Sequence, residues 1–121
     1  VALFKYKEFS DAIDKVNEIT EYQGKGHSCG IHSTNEDHIE EFALKTYTSR
    51  VMVRQPQCLA NSGAWTNGMP MTLSLGCGTW GGNISGDNIT WKHLLNITWV
   101  SYPTESNQPS DEELFAGVME E

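Results

Sequence analysis

Positive charge is scarce in this chain. Its 121 residues carry 8 Lys and Arg against 16 Asp and Glu, a formal net charge of −8. A nucleic-acid partner needs clustered Lys and Arg to displace counterions from phosphates, so that class is excluded. Long apolar runs are also missing. Nothing approaches the roughly 18 residues needed to cross a bilayer, and no basic stretch with an apolar core opens the chain as a leader would. No membrane partner is therefore expected. Cysteine is sparse: Cys29, Cys58 and Cys77 give neither a disulfide framework nor a CxxC metal pattern. They read as reduced thiols in a cytoplasmic protein, with no metal site. HExxH, a P-loop, Gly-x-Ser-x-Gly and internal repeats are all absent.

What is present is globular. Hydrophobic residues make up 38% and charged residues 20%, outside the range of disordered chains. The first half alternates strand and helix. Val1 to Tyr6 is short, apolar and aromatic, which predicts a strand from the first residue and a chain cut from something longer. Ser10 is a candidate N-cap with Asp11 in the first turn. Phe9, Ile13, Val16 and Ile19 then follow at helical spacing, predicting a helix over 11–22 that Gly24 and Gly26 end. Residues 28–33 predict a second strand, with Cys29 and Ile31 on one face and Gly30 and His32 on the other. Thr34 or Asn35 caps a second helix with the stripe Ile39, Phe42, Ala43 and Thr46–Tyr47. Arg50 to Arg54 is a third strand around Val51-Met52-Val53. The order β-α-β-α-β predicts an α/β fold with a small, mostly parallel sheet and two flanking helices.

Beyond Pro56 the texture changes. Residues 57–90 are rich in Gly, Asn, Ser and Thr, a long loop that is functional or packs on something else. Trp91 to Tyr102 resumes as a strand, and residues 104–121 form an acidic tail with Leu114-Phe115 as a short docking turn. The strand over 94–102 has no neighbour close in sequence, so it is expected to complete a sheet elsewhere in a parent protein or in another subunit.

Candidate chemistry is thin. Gly76-Cys77-Gly78-Thr79-Trp80-Gly81 matches GxGxxG, but the Gly/Asn run after it cannot readily open the helix that a dinucleotide site requires. His27 and His32 flank Cys29. A buried thiol is the ordinary role for Cys29, and His27, at a Gly-rich strand edge, is the better candidate for chemistry. His38 and His93 read as surface residues. Asn83, Asn88 and Asn96 each open an Asn-x-Ser/Thr sequon. With Trp65, Trp80, Trp91 and Trp99 for sugar stacking, those sites leave a secreted carbohydrate-binding module as an alternative. A stand-alone oligomerisation domain is another.

Several strings carry a family resemblance. The segment 1–12 resembles a strand-then-helix segment of aldehyde dehydrogenases. Gly26-His27-Ser28-Cys29-Gly30-Ile31-His32-Ser33 is similar to a stretch of the CoA-acylating branch. So are Leu73-Ser74-Leu75-Gly76-Cys77-Gly78-Thr79-Trp80-Gly81-Gly82-Asn83 and Lys92-His93-Leu94-Leu95-Asn96, in acetaldehyde enzymes and the aldehyde half of bifunctional aldehyde–alcohol dehydrogenases. The resemblance implies that 1–90 is the C-terminal portion of the catalytic domain and 91–103 a strand pairing across a homo-oligomer. It implies that the remainder of the parent enzyme holds the nucleophilic cysteine and the NAD or NADP site. The implied reaction joins an aldehyde to coenzyme A through a cysteine thioester, in the cytoplasm or, more narrowly, in a bacterial microcompartment. This chain alone is then inactive. Within it, His27 is expected to give acid/base assistance during thioester exchange. Trp65 and Thr66, in the loop 57–67, are expected to touch the aldehyde. One segment, 53–57 with 66–70, departs from the strings of acetaldehyde enzymes. Arg54 or Gln55 there would favour an aldehyde with an anionic tail, such as succinate semialdehyde or sulfoacetaldehyde, although an exposed strand-end arginine is the plainer reading.

Overall fold

A computed structural model of the chain describes residues 1–118; the end of the acidic tail, 119–121, lies outside the described residues. The first helix, α1 (Phe9–Tyr22), starts two residues before the sequence-based expectation. Asp11 explains the shift: its carboxylate reaches back to accept from the Glu8 N–H at 3.2 Å, so Glu8 and not Ser10 is the N-cap. Ile13 is buried, and Phe9 and Val16 pack beside it. Gly24 takes φ +92° just past the helix, a left-handed turn that glycine adopts without steric penalty.

The chain then enters β1 (Cys29–Ile31), α2 (Glu36–Lys45) and β2 (Val51–Val53). Asn35 caps α2, its side-chain oxygen accepting from the amides of Asp37 at 3.0 Å and His38 at 3.4 Å. β1 and β2 pair in parallel, Cys29 opposite Val51 and Ile31 opposite Val53. Ile13, Ile31 and Phe42 form the core where α1 and α2 cover the sheet. Asn17 pins α1 to the end of α2, donating to the Lys45 carbonyl at 2.8 Å and accepting from the Tyr47 amide at 3.0 Å. His38 is half-buried rather than a surface residue, its ring stacked on Phe9 with centroids 4.2 Å apart.

The α/β class and the parallel pairing match expectation, but the sheet has two strands. Neither Val1–Tyr6 nor 94–102 forms a strand among the described residues. Residues 91–94 make a single 3₁₀ turn instead, and no regular element follows until α4 (Asp111–Leu114), after the short α3 (Gln57–Ala60). The reason is physical. A strand exists only through a neighbour's N–H and C=O groups, and neither segment has such a neighbour. Their apolar side chains are left in solvent, among them Leu3 at 93% exposure and Trp99 at 89%. The chain exposes 10107 Å², against roughly 6,500 Å² for a compact monomer of this mass. So much open surface marks a body whose apolar faces are built to be covered.

Loop 57–90 is not loose. Gly26, at φ +82°, lies directly under it: a Cβ there would collide with the Cys77 carbonyl and stand 2.7 Å from the Gly81 nitrogen. Gly26→Ala is expected to destabilise the fold by about 2–3 kcal/mol, since it adds a left-handed backbone penalty to a backbone collision. Denaturant titration of the full-length protein checks this, with the exposed Gly82→Ala as the milder control.

Candidate functional site around His27 and Arg50

Arg50 organises this region, and the sequence reading treated it only as the start of a strand. It is 4% exposed. Its guanidinium has five N–H donors, and each one has an acceptor. Nε donates to Asn88 Oδ1 at 2.6 Å. Nη1 donates to the carbonyls of His27 at 3.2 Å and Gly76 at 2.8 Å. Nη2 donates to those of Gly86 at 3.0 Å and Asp87 at 2.8 Å. Burial pulls the guanidinium pKa down from its usual value, while nearby Cys77 and Asp87 act the other way. One cation thereby ties the start of β1 to both arms of the glycine-rich loop. Asn88 extends the tie through its amide, which donates to the carbonyls of Asn61 at 3.1 Å and Pro70 at 2.9 Å. Asn88 is 6% exposed, so this sequon is closed to a glycan in the folded chain.

His27 is half-buried at the amino end of β1. Its Nδ1 lies 2.6 Å from Ser28 Oγ. That hydroxyl also receives the side-chain amides of Gln57 and, at 3.1 Å, Asn61. Gln57 begins α3 and stands against Gly30 of β1, and Asn61 follows the same helix and is buried. The network therefore runs from Arg50 through Asn88 and Asn61 to Ser28 and His27. Neither Gln57, Asn61 nor Ser28 stood out in the sequence, because no local spacing links them.

The remaining candidates lie elsewhere. Arg54 sits just past β2 with φ +54°. Its guanidinium donates to the Ser33 carbonyl at 2.8 Å and stands 3.8 Å from the Glu36 carboxylate. His27 and Arg54 are thus at opposite ends of the parallel pair, about 17 Å apart at ~3.3 Å per residue. A short aldehyde cannot touch both. Trp65 and Thr66 are exposed on a turn fastened by Asn67, whose amide donates to Gln55 Oε1 at 3.2 Å and to the Ala60 carbonyl at 2.9 Å. An open hollow of about 1000 Å³ is lined by Met69, Met71, Trp91 and Leu94 among others, and by none of these four candidates.

The thiols have other surroundings. Cys29 Sγ lies 3.1 Å from Thr48 Oγ1, Cys58 is exposed on α3, and Cys77 is half-buried beneath the glycine loop. The GxGxxG string does not fit a dinucleotide. It leads into a single 3₁₀ turn at Thr79–Gly81 rather than an α-helix, and Gly78 is turned against Ser49 instead of leaving an open cradle. Among the described residues no three His, Cys, Asp or Glu side chains gather as a metal site, and no helix is long and apolar enough to cross a membrane.

This geometry has close counterparts. Over 87% of the chain it superposes on an acetylating aldehyde dehydrogenase from Geobacillus thermoglucosidasius with a TM-score of 0.76 and 31% identity, covering 23% of that chain. The fold is therefore that of a segment of an aldehyde dehydrogenase. The sequence is 49% identical over all 121 residues to a sulfoacetaldehyde dehydrogenase of an Acholeplasma species, covering 25% of it. It is 41% identical over 115 residues to the sulfoacetaldehyde dehydrogenase (acylating) of Bilophila wadsworthia, covering 95% of this chain and 25% of that protein. No family model matches. The chain is thus similar to a segment of acylating aldehyde dehydrogenases, as the sequence resemblance implied, and spans about a quarter of the length of these relatives.

Proposed function

We propose that this chain is the C-terminal catalytic-domain segment of an enzyme that converts an aldehyde, coenzyme A and NAD(P)+ to the acyl-CoA and NAD(P)H. The observation that carries the reading is the 49% identity running the whole length of the chain. The nucleophilic cysteine and the nucleotide site lie in the remainder of that enzyme. No step through the nucleotide is assigned to this segment, because its glycine-rich loop does not fit one. The segment's own contribution is His27, held at the amino end of β1 for the thioester chemistry. Residues 91–103 serve as an oligomer-pairing strand once a partner edge is present, and their exposed apolar side chains support that reading. The enzyme works in the cytoplasm.

The favoured substrate is an aldehyde with an anionic tail, since both relatives above carry sulfoacetaldehyde in their names. The test is CoA-dependent reduction of NAD(P)+ by the full-length protein, with sulfoacetaldehyde against propionaldehyde. A kcat/KM at least about tenfold higher for the anionic substrate is expected, the scale of one charge-assisted hydrogen bond. Equal rates would overturn the substrate class, and no CoA dependence would overturn the reaction. The isolated 121-residue chain is expected to show no turnover.

Arg54, with Gln55, is a candidate for that tail because its segment departs from the acetaldehyde enzymes. Its distance from His27 and its engagement with Ser33 and Glu36 argue that it meets no part of a two-carbon substrate. Arg54→Met is therefore expected to change the anionic-to-neutral kcat/KM ratio by less than about twofold. A tenfold fall, the size of a lost charge-assisted contact, would return the tail to Arg54. Trp65 and Thr66 remain candidates for lining the aldehyde's approach, on a turn that Gln55 and Asn67 hold rigid.

A further inference from the structure

A serine hydroxyl has one proton to give and two lone pairs to accept with. Ser28 Oγ accepts from the Gln57 and Asn61 amides, which fills both lone pairs. The Gln57 orientation follows from its second contact. Gln57 Nε2 also faces the Ser28 carbonyl at 3.5 Å, where an amide oxygen would meet only repulsion. Asn61 presents Nδ2 to Ser28 and keeps Oδ1 for the Ser62 hydroxyl, which donates to it at 3.2 Å. The Ser28 proton then has one acceptor left, His27 Nδ1 at 2.6 Å.

We propose that Ser28 is a positioning residue that holds neutral His27 in the Nε2–H tautomer, so that His27 meets the reacting group as a hydrogen-bond donor and not as a proton acceptor. The reverse tautomer would aim an Nδ1–H at an oxygen whose lone pairs are already taken. Among the described residues Nε2 has no hydrogen-bond partner. Its N–H is therefore free for an oxygen that gains charge, such as the carbonyl oxygen of an aldehyde or thioester. This rests on the proposed reaction for its purpose. It sharpens the acid/base role expected of His27 to the donor half.

The test separates the two. Full-length protein labelled with ¹⁵N-histidine is examined by NMR at a pH where histidine rings are neutral, and the His27 signal is identified by its loss in His27→Gln. An unprotonated Nδ1 and a protonated Nε2 are expected. A protonated Nδ1 overturns the proposal whatever the enzyme's activity, whereas absence of CoA-dependent activity overturns the reaction and leaves the tautomer result standing. Ser28→Thr keeps the hydroxyl and is expected to keep the tautomer and kcat within about twofold. Ser28→Ala is expected to mix the tautomers and lower kcat about tenfold, the scale of one hydrogen bond. Should Ser28→Ala fold poorly, the wild-type spectrum still decides. A Ser28→Ala spectrum identical to wild type would assign the tautomer to something other than Ser28.

Discussion

Arg50→Met should loosen the glycine-rich loop by about 3–5 kcal/mol, the range for breaking a buried charged network by removing one partner. Methionine fills similar volume, so the effect isolates the lost donors. Four backbone carbonyls and Asn88 Oδ1 would lose their partner together, and burial keeps water from replacing it. Lysine is not a rescue. Its three donors radiate from one nitrogen, while the acceptors of Arg50 spread around a planar fork. Arg50→Lys should therefore retain at least half of that destabilisation. Hydrogen exchange reads the result locally. The amides of Gly76 and Gly78 bond to the carbonyls of Asp87 and Ser85, each at 2.9 Å, and close the loop. In Arg50→Met their exchange should accelerate about a hundredfold or more, while α1 amides change little. Equal acceleration in α1 and the loop would mean that Arg50 supports the whole body and not this loop.

The same residue shows where sequence reading stops. Helices α1 and α2 were legible because their apolar stripes recur at helical spacing and Asn35 marks a start. β1 and β2 were legible because Cys29-Gly30-Ile31 and Val51-Met52-Val53 are short runs between turn residues. Periodicity reports which face of a segment is apolar. It does not report what covers that face, so 1–6 and 94–102 read as strands yet stand without partners here. His27 was found from the Gly-rich edge it sits on. Ser28 was passed over, since its importance comes from Gln57 and Asn61, 29 and 33 residues away. A signal for Arg50 did exist. An arginine directly before a strand core is an unusual neighbour for apolar residues, and a glycine-rich loop carries many carbonyls that need donors.

His27→Ala should lower kcat of the full-length enzyme by about a hundredfold, the scale of losing one donor to a charged transition-state oxygen. General-base loss falls in the same range, so magnitude alone does not separate the roles. Timing does. The substrate oxygen gains charge twice, first when the cysteine thiolate adds to the aldehyde and again when coenzyme A adds to the thioester. A donor assists both additions. A base for the CoA thiol assists only the second. With His27 as donor, His27→Ala should slow the first equivalent of reduced nucleotide, seen by stopped flow without CoA, as well as the steady state. His27→Gln separates them again, since an amide N–H can still donate while an amide cannot take a proton at neutral pH. It should recover about tenfold of the loss. A first turnover as fast as wild type, with Gln and Ala equally slow afterwards, would place His27 on the CoA thiol instead and remove the reason for Ser28 to hold its proton toward Nδ1.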